Sequence, residues 1–218
     1  MSNYFNPIES RILHHHPKLI YHVFDWIGTK EVDLIYRLSR DKRSIIDFVF
    51  NDDNDHIAKL IFLFRSSSTN FVFGTYVTTN LKRSTKQTIV LDNDNDNDPS
   101  FLFTLLNPHL IPPTRYFLRF SKIFSLSEND LYFGIGDRCN YDFHLSFSSL
   151  KVHFLFPKYF EDSTAKGSVT FTGSQSSKID EIEIFRVHEK LDHHHHHHHH
   201  HDAHHPFFQN MMIDANND

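Results

Sequence analysis

The chain is poor in the residues that most often announce a chemistry or a compartment. It has one cysteine, Cys139, so no intramolecular disulfide can form. It has a single tryptophan, three methionines and six glycines. Lysine and arginine are absent after Lys190, and no stretch approaches the roughly 18 apolar residues of a membrane span. The opening MSNYFNPIES lacks the basic start and apolar run of a signal peptide. These absences predict a soluble, intracellular, cytoplasmic chain with no transmembrane segment.

Charge excludes further classes. The net charge is −5, and the four aspartates after Lys190 account for most of it, since 22 basic against 23 acidic residues leaves −1 for positions 1–190. A near-neutral body carries neither a nucleic-acid footprint nor a polybasic membrane patch. No nucleic-acid partner is expected.

What the chain does have is aromatic bulk: 23 phenylalanines and 8 tyrosines in 218 residues. Such side chains suit pleated, half-buried surfaces, so the composition leans toward a β-rich core. The length suits one domain. Leu19, Ile20, Val23, Phe24 and Ile27 recur at helical spacing between Pro17 and Gly28, which predicts a first helix with His14 to His16 solvated at its start. Alternation over Leu34, Tyr36 and Leu38 predicts a strand, and Ser44 is placed to cap a short helix burying Ile45, Phe48 and Val49. AKLIFLFRS and FVFGTYVTT around SSSTN predict a hairpin. SFLFTLL is a strand or a short buried helix, and HLIPPT a proline turn. Strands are predicted over YFLRF, LYFGI, YDFHLSF, KVHFLF, SVTFTG and IEIFRV. The fold class that follows is α+β, with packed antiparallel sheets and a few helices at the side.

Three regions are expected: an N-terminal tail over 1–9, a domain over 10–190, and a disordered histidine-rich tail over 191–218.

Candidate chemistry is sparse. Asp92, Asp94 and Asp96 fall on positions one, three and five of an EF-hand loop, but Asn97 and Phe103 stand where Gly and a bidentate Glu are needed. FGIGD has two glycines without the lysine of a phosphate loop; Gly134 and Gly136 suit a bulge or turn. Cys139 lies beside Arg138, which favours a thiolate, and beside Asp137 two positions away, which opposes it. Glu181 and Glu183 share one strand face, which is predicted to be the polar, solvated one. His193 to His201, with His204 and His205, can chelate metal in vitro; repeat expansion explains them without a metal role. As they protonate near pH 6.5 the tail gains charge and a weak, pH-dependent contact with anionic surfaces. No catalytic, cofactor-binding or metal-ligating residue is assigned, and no cofactor is implied.

Five segments in fixed order carry more information. DLIYRLSRD from Asp33, FVFGTY from Phe71 to Tyr76, SFLFTLLNP from Ser100 to Pro108, FGIGD from Phe133 to Asp137, and FTGSQSSKIDEIEIF from Phe171 to Phe185 together resemble the TLDc domain of the oxidation-resistance proteins. The similarity runs from about Ser10 to Glu189. The family's LLYR-A-SRDG segment is matched by Leu34 to Arg37 and Ser39 to Asp41, its VFGGY by Val72, Phe73, Gly74 and Tyr76, and its EIEVF by Glu181 to Phe185. Lys42, Arg43 and Thr75 depart from the pattern, standing where the family has Gly, Phe and Gly. The resemblance implies a two-sheet antiparallel β-sandwich flanked by helices, a link to oxidative-stress protection and, for several relatives, engagement of the vacuolar proton pump (V-ATPase). It brings no active-site motif. Two functions therefore stand: a non-catalytic module that binds a protein partner, or an enzyme with thiol or peroxide chemistry at Cys139.

Overall fold

In the computed structural model, the described residues are 9–41, 44, 45, 49, 57–80, 89–92, 99–119, 122–137 and 140–188. Eleven strands run through them: β1 Val32–Arg37, β2 Ile57–Ser66, β3 Val72–Asn80, β4 Ile89–Asp92, β5 Phe101–Leu106, β6 Thr114–Phe117, β7 Lys122–Leu126, β8 Asp130–Asp137, β9 Asn140–Ser146, β10 Lys151–Phe154 and β11 Ser176–Val187. They form one antiparallel sheet in the order β4-β7-β8-β9-β10-β11-β2-β3-β5-β6, with β1 also on β11. Two separate sheets were expected; the structure has one, because β11 is long enough to be hydrogen-bonded into both arms. Its start, Ser176 to Lys178, pairs with β10, while Ile179 to Val187 pairs with β2 and the last part also with β1.

Aromatic side chains explain how the two arms meet. Phe64 of β2 lies 5.1 Å from Phe143 of β9 between ring centroids, and Phe73 of β3 lies 5.5 Å from Phe154 of β10. These contacts across the arms bury rings that no single sheet face could cover, and pairs at such distances add to simple area burial. A second apolar cluster lies on the other side of β2 and β3, where Ile61, Leu63 and Tyr76 meet Phe101, Phe103 and the helix α1, Ile20–Ile27. So the strands of the first arm are apolar on both faces. Continuous runs such as Leu60 to Phe64 follow from that.

Helix α1 forms as its periodicity predicts. Pro17 opens a preceding 3-10 turn, Ile20, Val23 and Phe24 are buried, and Gly28 closes the helix at a φ of 72° that a glycine accepts freely. His14, His15 and His16 are exposed before it. Ile45 and Val49 are helical and buried; Phe48 lies outside the described residues. SFLFTLL resolves as strand β5. Gly74 has a different role from Gly28: a Cβ there would stand 2.1 Å from the Phe62 carbonyl oxygen and 2.6 Å from the Phe103 ring. It is held by close approach.

One predicted strand is absent. SVTFTG forms a 3-10 turn, Gly167–Val169, and further turns. Local bonds account for this: Thr170 N–H donates to the Gly167 carbonyl (3.0 Å), Gly173 N–H to Val169 (2.9 Å), and the Asp162 carboxylate accepts from Gly167 N–H (2.7 Å). The hydroxyl of Thr170 also bonds back to Gly167 at 2.6 Å. Ser, Thr and Asp side chains offer the backbone an alternative to a ladder, and here they win.

Candidate functional site

The sequence places Glu181 and Glu183 on an exposed face. The structure overturns this, because both are buried, at 1% and 0% exposure. On β11 the even positions Ile182 and Ile184 enter the inter-arm core, whereas Phe185 and Val187 enter the helix-side core on the same face as the two glutamates. A register shift at Asp180 sets this phase. Both faces of β11 are thus covered, and the carboxylates lie at the end of the helix-side core nearest the N-terminal segment.

A buried carboxylate is costly unless donors replace its water. Glu183 Oε1 accepts from Arg37 Nε at 2.9 Å and from the Arg11 backbone N–H at 2.8 Å, while Oε2 accepts from the Ser10 hydroxyl at 2.6 Å. Glu181 Oε1 accepts from the Ser39 N–H at 3.0 Å, and Arg11 Nη1 stands 3.5 Å from Oε2. Asp41 in turn accepts from the Arg37 N–H at 2.8 Å and pairs with Arg40 at 2.7 Å. Its carboxyl is held below the usual range, chiefly by Arg40. Arg37 also reaches back to Glu9, through the backbone carbonyl and the side chain.

The polar residues of DLIYRLSRD and of DEIEIF are therefore one structure. Some 140 positions of chain separate Ser39 from Glu181, and the strand pairing β1 to β11 closes that gap. Ile12 and Leu13, 6% and 2% exposed, follow Ser10 into the helix-side core. Arg11, at 58% side-chain exposure, and Ser39 bring the cluster to the solvent beside Glu181. What the arrangement does chemically is to fasten the N-terminal segment and the loop after β1 onto β11.

A second buried carboxylate stands in the other arm. Asp142 of β9 is fully buried, accepts the Tyr159 N–H at 2.6 Å and the Lys158 N–H, and has its pKa pushed up to about 6. Desolvation raises it; the N–H donors and Lys158 only partly offset this. Asp142 pins the segment after β10. The sequence reading missed it, since Asp142 lies in a strand with nothing nearby to mark it as buried.

Thr75 shows how a departure from the motif is absorbed. It is buried, and its hydroxyl donates to the Phe101 carbonyl at 3.0 Å. Gly134 falls between two register shifts of the β8 to β9 ladder, which agrees with the bulge expected there. Cys139, the histidine tail and the Asp/Asn tract beyond Asp92 lie outside the described residues. Among the described residues no group of three or more His, Cys, Asp or Glu is arranged to hold a metal ion, and no helix is long and apolar enough to cross a membrane.

With the motif residues assembled, comparison with protein families gives a match to the TLDc domain over residues 8–188. The chain belongs to the TLDc family. No curated protein matches it at a significant level. Of the segments that carry the resemblance, DLIYRLSRD and DEIEIF are the two that meet at Glu181 and Glu183 in this TLDc domain.

Proposed function

We propose that this TLDc domain is a non-catalytic module that binds a protein partner, linked to protection from oxidative damage and to the vacuolar proton pump. The observation that carries the reading is that Glu181 and Glu183 are buried and partnered from within the chain. A carboxylate pair suited to acid and base chemistry needs an open approach for substrate. Here Ser10, Arg11, Arg37 and Ser39 occupy the oxygens from within the chain. Their work is to hold the fold together, and recognition is left to the outer surface. The domain is taken to span 10–190, with 191–218 as an appended tail that is not needed for folding.

The test is binding of the purified full chain to purified proton pump, measured with the parent and with Cys139→Ser, alongside survival of peroxide-treated cells that express each. Binding and protection that are equal in both support the module. Protection lost by Cys139→Ser, with folding unchanged, would favour thiol chemistry instead.

A further inference from the structure

The β5 to β6 connection is the least expected surface of the molecule. Between Phe101 and Thr114 the sequence carries no Asp, Glu, Lys or Arg. Its tip places Leu110, Ile111, Pro112 and Pro113 in succession at or near the surface, with Leu110 95% exposed. Single exposed apolar side chains are ordinary; consecutive ones on a loop need a reason. Leu110 also has φ 55°, a backbone conformation that bulky non-glycine residues rarely adopt.

The loop is built to hold that conformation. Asn107, 6% exposed, uses both ends of its amide: Oδ1 accepts the N–H groups of His109 (3.0 Å) and Ile111 (3.1 Å), and Nδ2 donates to the Ile111 carbonyl (2.8 Å). These bonds close a ring around Leu110. The His109 ring lies 3.0 Å from the Val169 carbonyl oxygen, and the Thr114 hydroxyl donates to Pro112 at 2.7 Å. Pro108, Pro112 and Pro113 remove further backbone freedom. Leu150 has a similar φ of 49° in the turn before β10 but is only partly exposed, so it is the exposure of a fixed leucine that sets the tip at Leu110 apart.

We propose that the 107–113 loop is a docking knob whose Leu110 enters an uncharged apolar pocket on a partner protein. The inference rests on the interaction-module reading and names its surface. Preorganisation is the reason to choose a pocket, because a tip already fixed loses little freedom on binding. A bilayer is the poorer fit: no lysine or arginine lies in the loop to attract anionic headgroups, and a single leucine tip gives little anchoring.

The experiment introduces the photo-reactive p-benzoylphenylalanine in place of Leu110, and separately in place of Leu155, which is 44% exposed on the other arm. Each full chain is irradiated in an extract of cells that make the protein. A discrete protein adduct is expected from position 110 and not from 155. A synthetic peptide spanning residues 106–114 should suppress that adduct, and Leu110→Asp should reduce retention of the same protein about tenfold or more with an unchanged thermal midpoint. Adducts from 155 alone, or retention unaffected by Leu110→Asp, would overturn the knob and leave the module reading intact. No adduct from either position would overturn the knob, and the pump-binding test then decides the module reading. Leu110-dependent co-sedimentation with phosphatidylserine vesicles would show the tip to be a membrane contact and overturn the protein pocket.

Discussion

Glu183 and Asp142 are both fully buried, one in each arm of the same sheet, and they solve the cost of burial differently. Glu183 has a guanidinium against it, with a hydroxyl and a backbone N–H completing its shell. Asp142 is answered mainly by backbone N–H groups of the segment it pins, with the Lys158 charge a lesser contribution. The difference teaches what each anchor responds to. A paired carboxylate depends on its partner, whereas one held by amides depends on its own protonation. The first should be sensitive to mutation and the second to pH.

An uncharged site sets the scale for breaking either anchor. Gly74→Val would drive a Cβ into the Phe62 carbonyl and the Phe103 ring, so that two neighbouring strands must part. The expected loss is about 3–5 kcal/mol, above the usual cost of overpacking because backbone cannot move aside like a side chain. Denaturant unfolding of the parent and variant checks it, and equal midpoints would remove close approach as the role of Gly74.

Arg37→Ala follows closely. Removing one member of a buried pair leaves an uncompensated charge, which costs about 3 kcal/mol. The double variant Arg37→Ala with Glu183→Gln should recover part of that loss, because no charge is then left unpaired. If the two single losses simply add, the ion pair contributes nothing and the comparison with Asp142 fails.

Asp142 gives the pH arm. Its folded pKa is about 6 against an ordinary 3.8, so the folded state holds the proton more tightly than the unfolded state. The contribution is fully present below about pH 3.8 and is lost as pH rises through 6, an effect of about 2–3 kcal/mol. Asp41 and Asp162, whose pKa values are lowered, act in the opposite direction, gaining stability above their unfolded values. The difference between the parent and Asp142→Asn isolates the term: relative to the parent, the variant should be more stable at pH 7 than at pH 4. A difference that stays flat over that interval would place the Asp142 pKa near its ordinary value.

Much of this was legible in the sequence and some was not, for physical reasons. Helix α1, the β2 to β3 hairpin and β9 to β11 follow from local periodicity and turn chemistry, which need only neighbouring residues. SVTFTG departs from the expected strand because its β-branched residues favour a strand while its Ser and Thr hydroxyls and Asp162, several positions earlier, favour turns. The Glu181 and Glu183 error has another source. Alternation shows which residues share a face but not whether that face is covered; the cover comes from Ser10 and Arg37, more than 140 positions away. One clue was available: Phe185 and Val187 have the same parity as the glutamates, so the face was never wholly polar. Leu110 was inside a predicted proline turn, and nothing local indicates that Asn107 would fix it outward.

The smallest effect tests how the N-terminal segment is held. Ser10 is placed to act twice, its hydroxyl donating to Glu183 at 2.6 Å and accepting the Leu13 N–H at 3.0 Å. The second bond has the geometry of a cap on the turn that follows, and such a cap is worth about 1 kcal/mol. Losing the first takes its donor from Glu183 Oε2, while Arg37 and the Arg11 N–H continue to hold Oε1 and keep the charge paired. Ile12 and Leu13 remain anchored in the helix-side core by burial. Ser10→Ala should therefore cost about 1–2 kcal/mol, short of Arg37→Ala, and should speed amide exchange locally over residues 10–16 while β11 stays protected. Exchange that rises along β11 as well would mean that the segment and the buried glutamates open as one unit, with Ser10 as the latch.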